Sequence, residues 1–144
     1  METNNNFYDS SKDSNYRDEL RLFSINNDEI LQEDRIGTIN KTSNGNIDIY
    51  VYGKEGKYIP HFHLIGNNLN CCICIYDNKY FSHGVHKDKI NSKTKKILNG
   101  FLKEKNKTIV EYSNWQVIGL FFDISNQTNY FNKKLKQPDY TKLE

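Results

Sequence analysis

Residues 47–52 alternate without interruption: Ile47, Ile49 and Val51 fall on one side of an extended chain, Asp48, Tyr50 and Tyr52 on the other. Successive side chains of a strand point to opposite faces, so this stretch reads as a β-strand with one face toward a core. Its main-chain N–H and C=O groups need partners, and the flanking sequence offers them. Upstream, Arg35–Asn40 is a short extended run, and Asn44-Gly45 follows as a two-residue hairpin signal, because both residues tolerate positive φ. Downstream, Gly53-Lys54-Glu55-Gly56 turns the chain into a second run, Tyr58-Ile59-Pro60-His61-Phe62-His63-Leu64-Ile65-Gly66. Asn67-Asn68 ends that run, Cys71–Tyr76 makes another strand, and Asp77-Asn78 turns into Lys79-Tyr80-Phe81-Ser82. Connections this short join antiparallel neighbours. The expectation is an antiparallel meander sheet of four to five strands.

Two helices close the pattern. Asn91 or Ser92 can cap the first, and Thr94, Ile97, Leu98, Phe101 and Leu102 form an apolar stripe at helical spacing. Asn99-Gly100 lies inside it, at a cost of about 1 kcal/mol relative to alanine. The second helix follows Thr108–Tyr112: Ser113-x-x-Gln116 is a capping box, and Trp115, Ile118, Phe121 and Phe122 form its apolar side. A helical layer on one face of an antiparallel sheet is an α+β domain. Residues 1–20 read as a flexible acidic arm in which Phe7, Tyr8 and Tyr16 could dock, 21–126 as a single α+β domain, and 127–144 as a basic polar tail. Within 17–33, Leu20, Phe23, Ile30 and Leu31 suggest short helical turns capped by Asn27 or Asp28.

Composition limits the function classes. Twenty Asn, seventeen Lys and three Arg give a polar chain of net charge +2 with an AT-rich coding bias. The charge is uneven: residues 1–34 hold nine acids and three bases, whereas 87–107 hold eight Lys against Asp88 and Glu104. That polarity could attract nucleic acid or an acidic partner, or let the arm rest on the basic helix. No apolar run approaches a membrane span and the opening Met1-Glu2-Thr3-Asn4 lacks a leader's basic and apolar regions, so the expectation is a cytoplasmic protein without membrane partners. Three cysteines clustered at 71, 72 and 74 do not make a disulfide framework.

Chemistry concentrates between His61 and His86. Residues i and i+2 of a strand share a face about 6.6 Å apart, so His61 and His63 can address one ion, one phosphate or one interface. With Phe62 and Leu64 toward the core, the imidazoles would lie on the open face of the sheet. A catalytic zinc site would take His61, His63 and His83 or His86, leaving one position for water. Cys72 and Cys74 share a face of the next strand, and sequence leaves open whether it is the histidine face. The cysteines equally suit buried positions as small apolar residues. The patterns of histidine-triad nucleotide hydrolases and of H-x-[ST] phosphoesterases fit poorly, since Ile65 stands at the third histidine place and no hydroxyl residue follows either histidine at the required spacing.

The run Tyr50-Val51-Tyr52-Gly53…Ile59-Pro60-His61-Phe62-His63-Leu64, with Asn114-Trp115 after Ser113, resembles the signature of a small uncharacterised bacterial domain family. Its members read as a strand, a turn, Pro-Pro-His-Phe-His-Val, a further strand and two helices, the second opening on Asn-Trp. The likeness covers about residues 35–124, with Ile59 in place of the first proline and a different, cysteine-rich strand. Such domains are often found in toxin–antitoxin-like gene pairs or other mobile-element cargo, some of which would inhibit a host system. The resemblance therefore implies a small interaction module. Its protein partner, or failing that a nucleic acid, would meet Tyr50, Tyr52, His61, His63 and Tyr76 on the open sheet face. The alternative is a metal-dependent hydrolase or nuclease using zinc or another divalent ion on His61, His63, His83 and His86. No catalytic set beyond those ligands is legible.

Overall fold

Four strands pair in chain order into one antiparallel sheet: β1 (Glu19–Asn26), β2 (Asn46–Tyr52), β3 (His61–Gly66) and β4 (Leu69–Cys74). Two helices follow, α1 (Ser92–Lys103) and α2 (Asn114–Asn126), and then a single 3-10 turn at Tyr140–Lys142. The structure is a computed structural model and describes residues 19–26, 46–66, 68–81, 84 and 87–144. Residues 1–18 of the acidic arm, Ile30 and Leu31 with the caps Asn27 and Asp28, the extended run at 35–40, the Asn44-Gly45 turn, and both His83 and His86 lie outside the described residues, while Glu19 and Leu20, expected in the arm, open β1.

The meander with helices after it is the α+β architecture expected. The helical reading of Leu20 and Phe23 is corrected: both lie in β1, which pairs with β2 from Glu19↔Tyr52 to Asn26↔Asn46 through an irregularity between Arg21 and Phe23. That irregularity spoils the alternation in sequence, since it puts the buried pair Leu22 and Phe23 side by side.

Register sorts the side chains into two faces. Phe23, Ile49, Leu64 and Cys71 stand in one cross-strand row, with Phe62 and Ile73 in the next, and all are buried. Phe101 of α1 meets Phe23 edge-on at 5.0 Å between ring centroids, and Tyr140 meets Phe62 at 6.0 Å, so α1 and the C-terminal segment cover this face. The helices begin where their caps allow. Asn91 Oδ1 accepts from Thr94 N, and Ser113 and Gln116 bond reciprocally as the capping box expected.

Residues 127–144 are not a loose appendage. Tyr140 is fully buried, its hydroxyl donating to Ile75 O at 2.7 Å, beside Trp115 Nε1, which donates to the same carbonyl at 2.9 Å. Gln137 Nε2 and Tyr140 N donate to Asn99 Oδ1, and Tyr80 N donates to Glu144 O, so the segment straps α1 to the turn after β4. Two apolar anchors, Tyr140 and Leu143, among polar neighbours show no periodicity, which is why the sequence reads as a tail.

Tyr76 and Gly119 are an interlocked pair. A Cβ on Gly119 would lie 2.6 Å from Tyr76 Oη, and that hydroxyl is buried without a hydrogen-bond partner among the described residues. Gly119→Ala should therefore lower stability by about 1–3 kcal/mol through overpacking. In a Tyr76→Phe background, where the nearest atoms are Phe131 Cδ1 at 3.4 Å and the Cζ of residue 76 at 3.5 Å, the same change should raise it by up to about 1 kcal/mol through helix propensity. Denaturant melts of the four proteins measure the coupling, and additive effects would contradict the contact.

Candidate metal centre

The opposite face of the sheet carries the histidines, and it is not open. Tyr50, His63 and Cys72 form one cross-strand row, and His61 pairs with Cys74 in the next. Register therefore answers what the sequence left undecided: Cys72 and Cys74 lie on the histidine side, Cys71 on the core side. His61 and His63 are 1% and 0% exposed, so the expectation of imidazoles on an open face is corrected. They are covered by the loop between β2 and β3 and by aromatic rings: Phe81 lies 4.6 Å from His61, Tyr52 4.3 Å from His63, and Tyr58 and Phe122 flank His61 at 6.3 and 5.8 Å.

The covering loop brings in a residue that pattern reading passed over. Glu55, 4% exposed, places Oε1 at 2.9 Å from His61 Nε2 and 3.4 Å from His63 Nε2. Cys72 Sγ completes the cluster at 3.6 and 3.7 Å from the two ring nitrogens of His63. One donor atom from each of His61, His63 and Cys72 lies within 4.8 Å of the others. In sequence Glu55 reads only as part of a turn, and the signal that marks it is that it is the sole acid between Asp48 and Asp77, six residues before the first histidine.

His61 and Glu55 are each held in place from outside the cluster. His61 Nδ1 donates to Ile59 O at 2.7 Å, which assigns the ring proton to Nδ1 and turns Nε2 toward the cluster. The extended Ile59-Pro60 that the sequence places before β3 supplies that carbonyl. Glu55 is positioned from α2: its N–H donates to Asn126 Oδ1 at 2.7 Å, while Asn126 Nδ2 donates to Tyr52 O at 3.0 Å and Phe122 O at 2.9 Å. Lys54 takes a left-handed φ of 64° to reverse the chain, and Gly56 passes against Asn126 O, where a Cβ would come within 3.1 Å.

With bonds of about 2.0–2.2 Å to nitrogen and oxygen, two ligands of one tetrahedral zinc stand about 3.3–3.6 Å apart, and a thiolate and an imidazole about 3.6 Å apart. The separations of Glu55 and Cys72 from His63, 3.4 and 3.6 Å, match these, while the 2.9 Å between Glu55 and His61 is that of a hydrogen bond. The buried His61, His63 and Cys72 can hold a metal ion. Of the four histidines expected as ligands, His61 and His63 come together; of the five residues expected at a partner surface, Tyr50 and Tyr76 are half-buried and Tyr52, His61 and His63 buried. No helix among the described residues is long and apolar enough to cross a membrane. Comparison of the chain with protein-family models, curated proteins and solved structures gives no match.

Burial raises the cysteine thiols. Cys72 is pushed far up by desolvation first and by the Glu55 carboxylate next, so without a cation it keeps its proton at neutral pH. Cys71, on the core face, is raised from 9.0 to about 12 by burial and then by Asp88. For Cys71 the folded state holds a proton that the unfolded chain releases, so its contribution is complete below pH 9.0 and is lost as pH rises toward about 12. Thermal midpoints should fall over that window, and Cys71→Ala should flatten the fall. The three bonds of Asn126 are worth about 2–4 kcal/mol together, so Asn126→Ala should destabilise by that order in urea melts.

Proposed function

We propose that this protein is a small α+β binding module built on a structural transition-metal centre, with His61, His63, Glu55 and Cys72 as ligands. The observation that carries the reading is the placement of Glu55 Oε1 within 3.4 Å of both imidazole Nε2 atoms beneath a loop that seals them. Two imidazoles, a thiol and a carboxylate are the donor types zinc accepts, and four donors close a tetrahedron. A hydrolytic zinc keeps a position for water and a path for substrate. Burial of every donor residue supports a structural ion over the metallohydrolase alternative. Hard-ion sites for magnesium or calcium use oxygen donors, so the thiol and imidazoles favour zinc or a neighbouring divalent metal.

The ion would join β3 and β4 to the 53–60 loop, and through Asn126 to the end of α2. Work done by such a module falls to its surface. On the sheet face the half-buried Tyr50, its ring 6.0 Å from that of Tyr52, would form part of the surface that a protein partner meets, while the imidazoles serve the interior.

Protein purified without a polyhistidine tag should carry about one divalent ion per chain, and His61→Ala/His63→Ala should abolish it. Chelator should lower the thermal midpoint of the wild type and leave the double variant unmoved. Cobalt substitution should give sulfur-to-metal charge-transfer absorption that Cys72→Ser removes. A metal-free protein indifferent to chelator would refute the centre, leaving Glu55 and the histidines as a buried ion-pair cluster.

A further inference from the structure

We infer that the exposed face of α1 is a docking ridge for the phosphate backbone of double-stranded DNA, with Gly100 as the point of closest approach. Lys93, Lys96, Gly100 and Lys103 follow one another at intervals of three, four and three residues, so they line one helical face over about 15 Å. The three lysines are exposed, while Thr94, Leu98, Phe101 and Leu102 take the opposite side into the core.

Gly100 is the second and independent observation. A Cβ added there would meet nothing within 4 Å, and its φ is not in the left-handed region, so neither packing nor backbone conformation requires glycine in mid-helix. What its missing side chain provides is a flat step between Lys96 and Lys103, where a partner's backbone can reach the helix closely.

The C-terminal strap enlarges the same basic region. Its bonds to Asn99 from Gln137 and Tyr140, and that from Lys95 Nζ to Leu143 O, lay residues 137–143 along the flank of α1. Residues 87–107 carry eight lysines and two acids, and 127–144 carry four lysines and two acids. Four acids accompany these lysines, Asp88, Glu104, Asp139 and Glu144, and the exposed carboxyl of Asp139 is held low by the Thr141 hydrogen bonds and then by Lys142 and Lys103.

The chemistry favours a DNA duplex. Single-stranded binders interleave basic residues with aromatic rings on which bases stack, and this ridge carries none. The B-DNA major groove, about 12 Å wide, admits the outer face of a helix so that its lysines reach the phosphates along the groove's edge, whereas the major groove of A-form RNA is too narrow for that approach. The inference does not rest on the metal centre.

Fluorescence anisotropy on a labelled duplex of about 20 base pairs, titrated with the full chain across a salt series, is the test. Three phosphate contacts predict a log–log salt slope of about −3, and Lys93→Gln/Lys96→Gln/Lys103→Gln should bring it toward zero. Gly100→Leu keeps the net charge and has room to fold, as circular dichroism would verify, yet should weaken binding at least tenfold. Absence of duplex binding at low salt would overturn the inference. So would a folded Gly100→Leu protein that binds like the wild type, or equal affinity for single-stranded DNA, duplex RNA or an acidic polypeptide.

Discussion

A carboxylate buried between two imidazoles is the constraint around which this molecule is arranged. An isolated charge moved out of water costs several kcal/mol even after relaxation, so Glu55 can occupy its place only if a proton or a cation is shared with its neighbours. That requirement reaches outward. His61 must keep its Nδ1 proton on Ile59 O, β3 and β4 must align so that His63 and Cys72 share a row, and Asn126 must hold the Glu55 main chain in place. A one-residue slip of β3 would send both histidines into the Phe62 face and take both imidazoles away from the carboxylate.

The parts of this arrangement written in local pattern could be read from sequence. Strict alternation marked β2, turn residues set the limits of β3 and β4, and the reciprocal Ser113–Gln116 cap announced α2. The His-x-His spacing placed two imidazoles on one face before any register was known. What escaped was non-local or irregular. The bulge in β1 put Leu22 and Phe23 side by side and removed the alternation that identifies a strand. Glu55 sits in a turn, where charged residues are ordinarily solvated, and only the fold over of that loop buries it. Tyr140 lies sixty-five residues from its acceptor Ile75, and no window of sequence contains both.

Covering both sides of so small a sheet also explains the chain's composition. A four-stranded sheet with one solvated face would leave Tyr52, Cys72 and Cys74 exposed; here all three are buried beside the hydrogen-bonded His61, His63 and Glu55. One face is closed by the two helices and the strap, largely through aromatic and aliphatic contacts. The other is closed by a single loop and a handful of rings. A domain with little apolar residue to spend can seal the second face with a polar cluster, provided that the cluster is satisfied.

The two closures differ in what they ask of the chain. Apolar packing under α1 is tolerant of substitution by volume, whereas the Glu55 cluster depends on atom placement within a few tenths of an ångström. Tolerance on the first side leaves the outward surface of α1 free to be composed for charge, which is where the lysines and the unexplained Gly100 are found. Exactness on the second side leaves no such latitude, since every residue that approaches the imidazoles also determines whether a buried charge is matched. The rigidly held Glu55 cluster therefore sits beneath the loop, and the exposed lysines sit on the helix across the sheet.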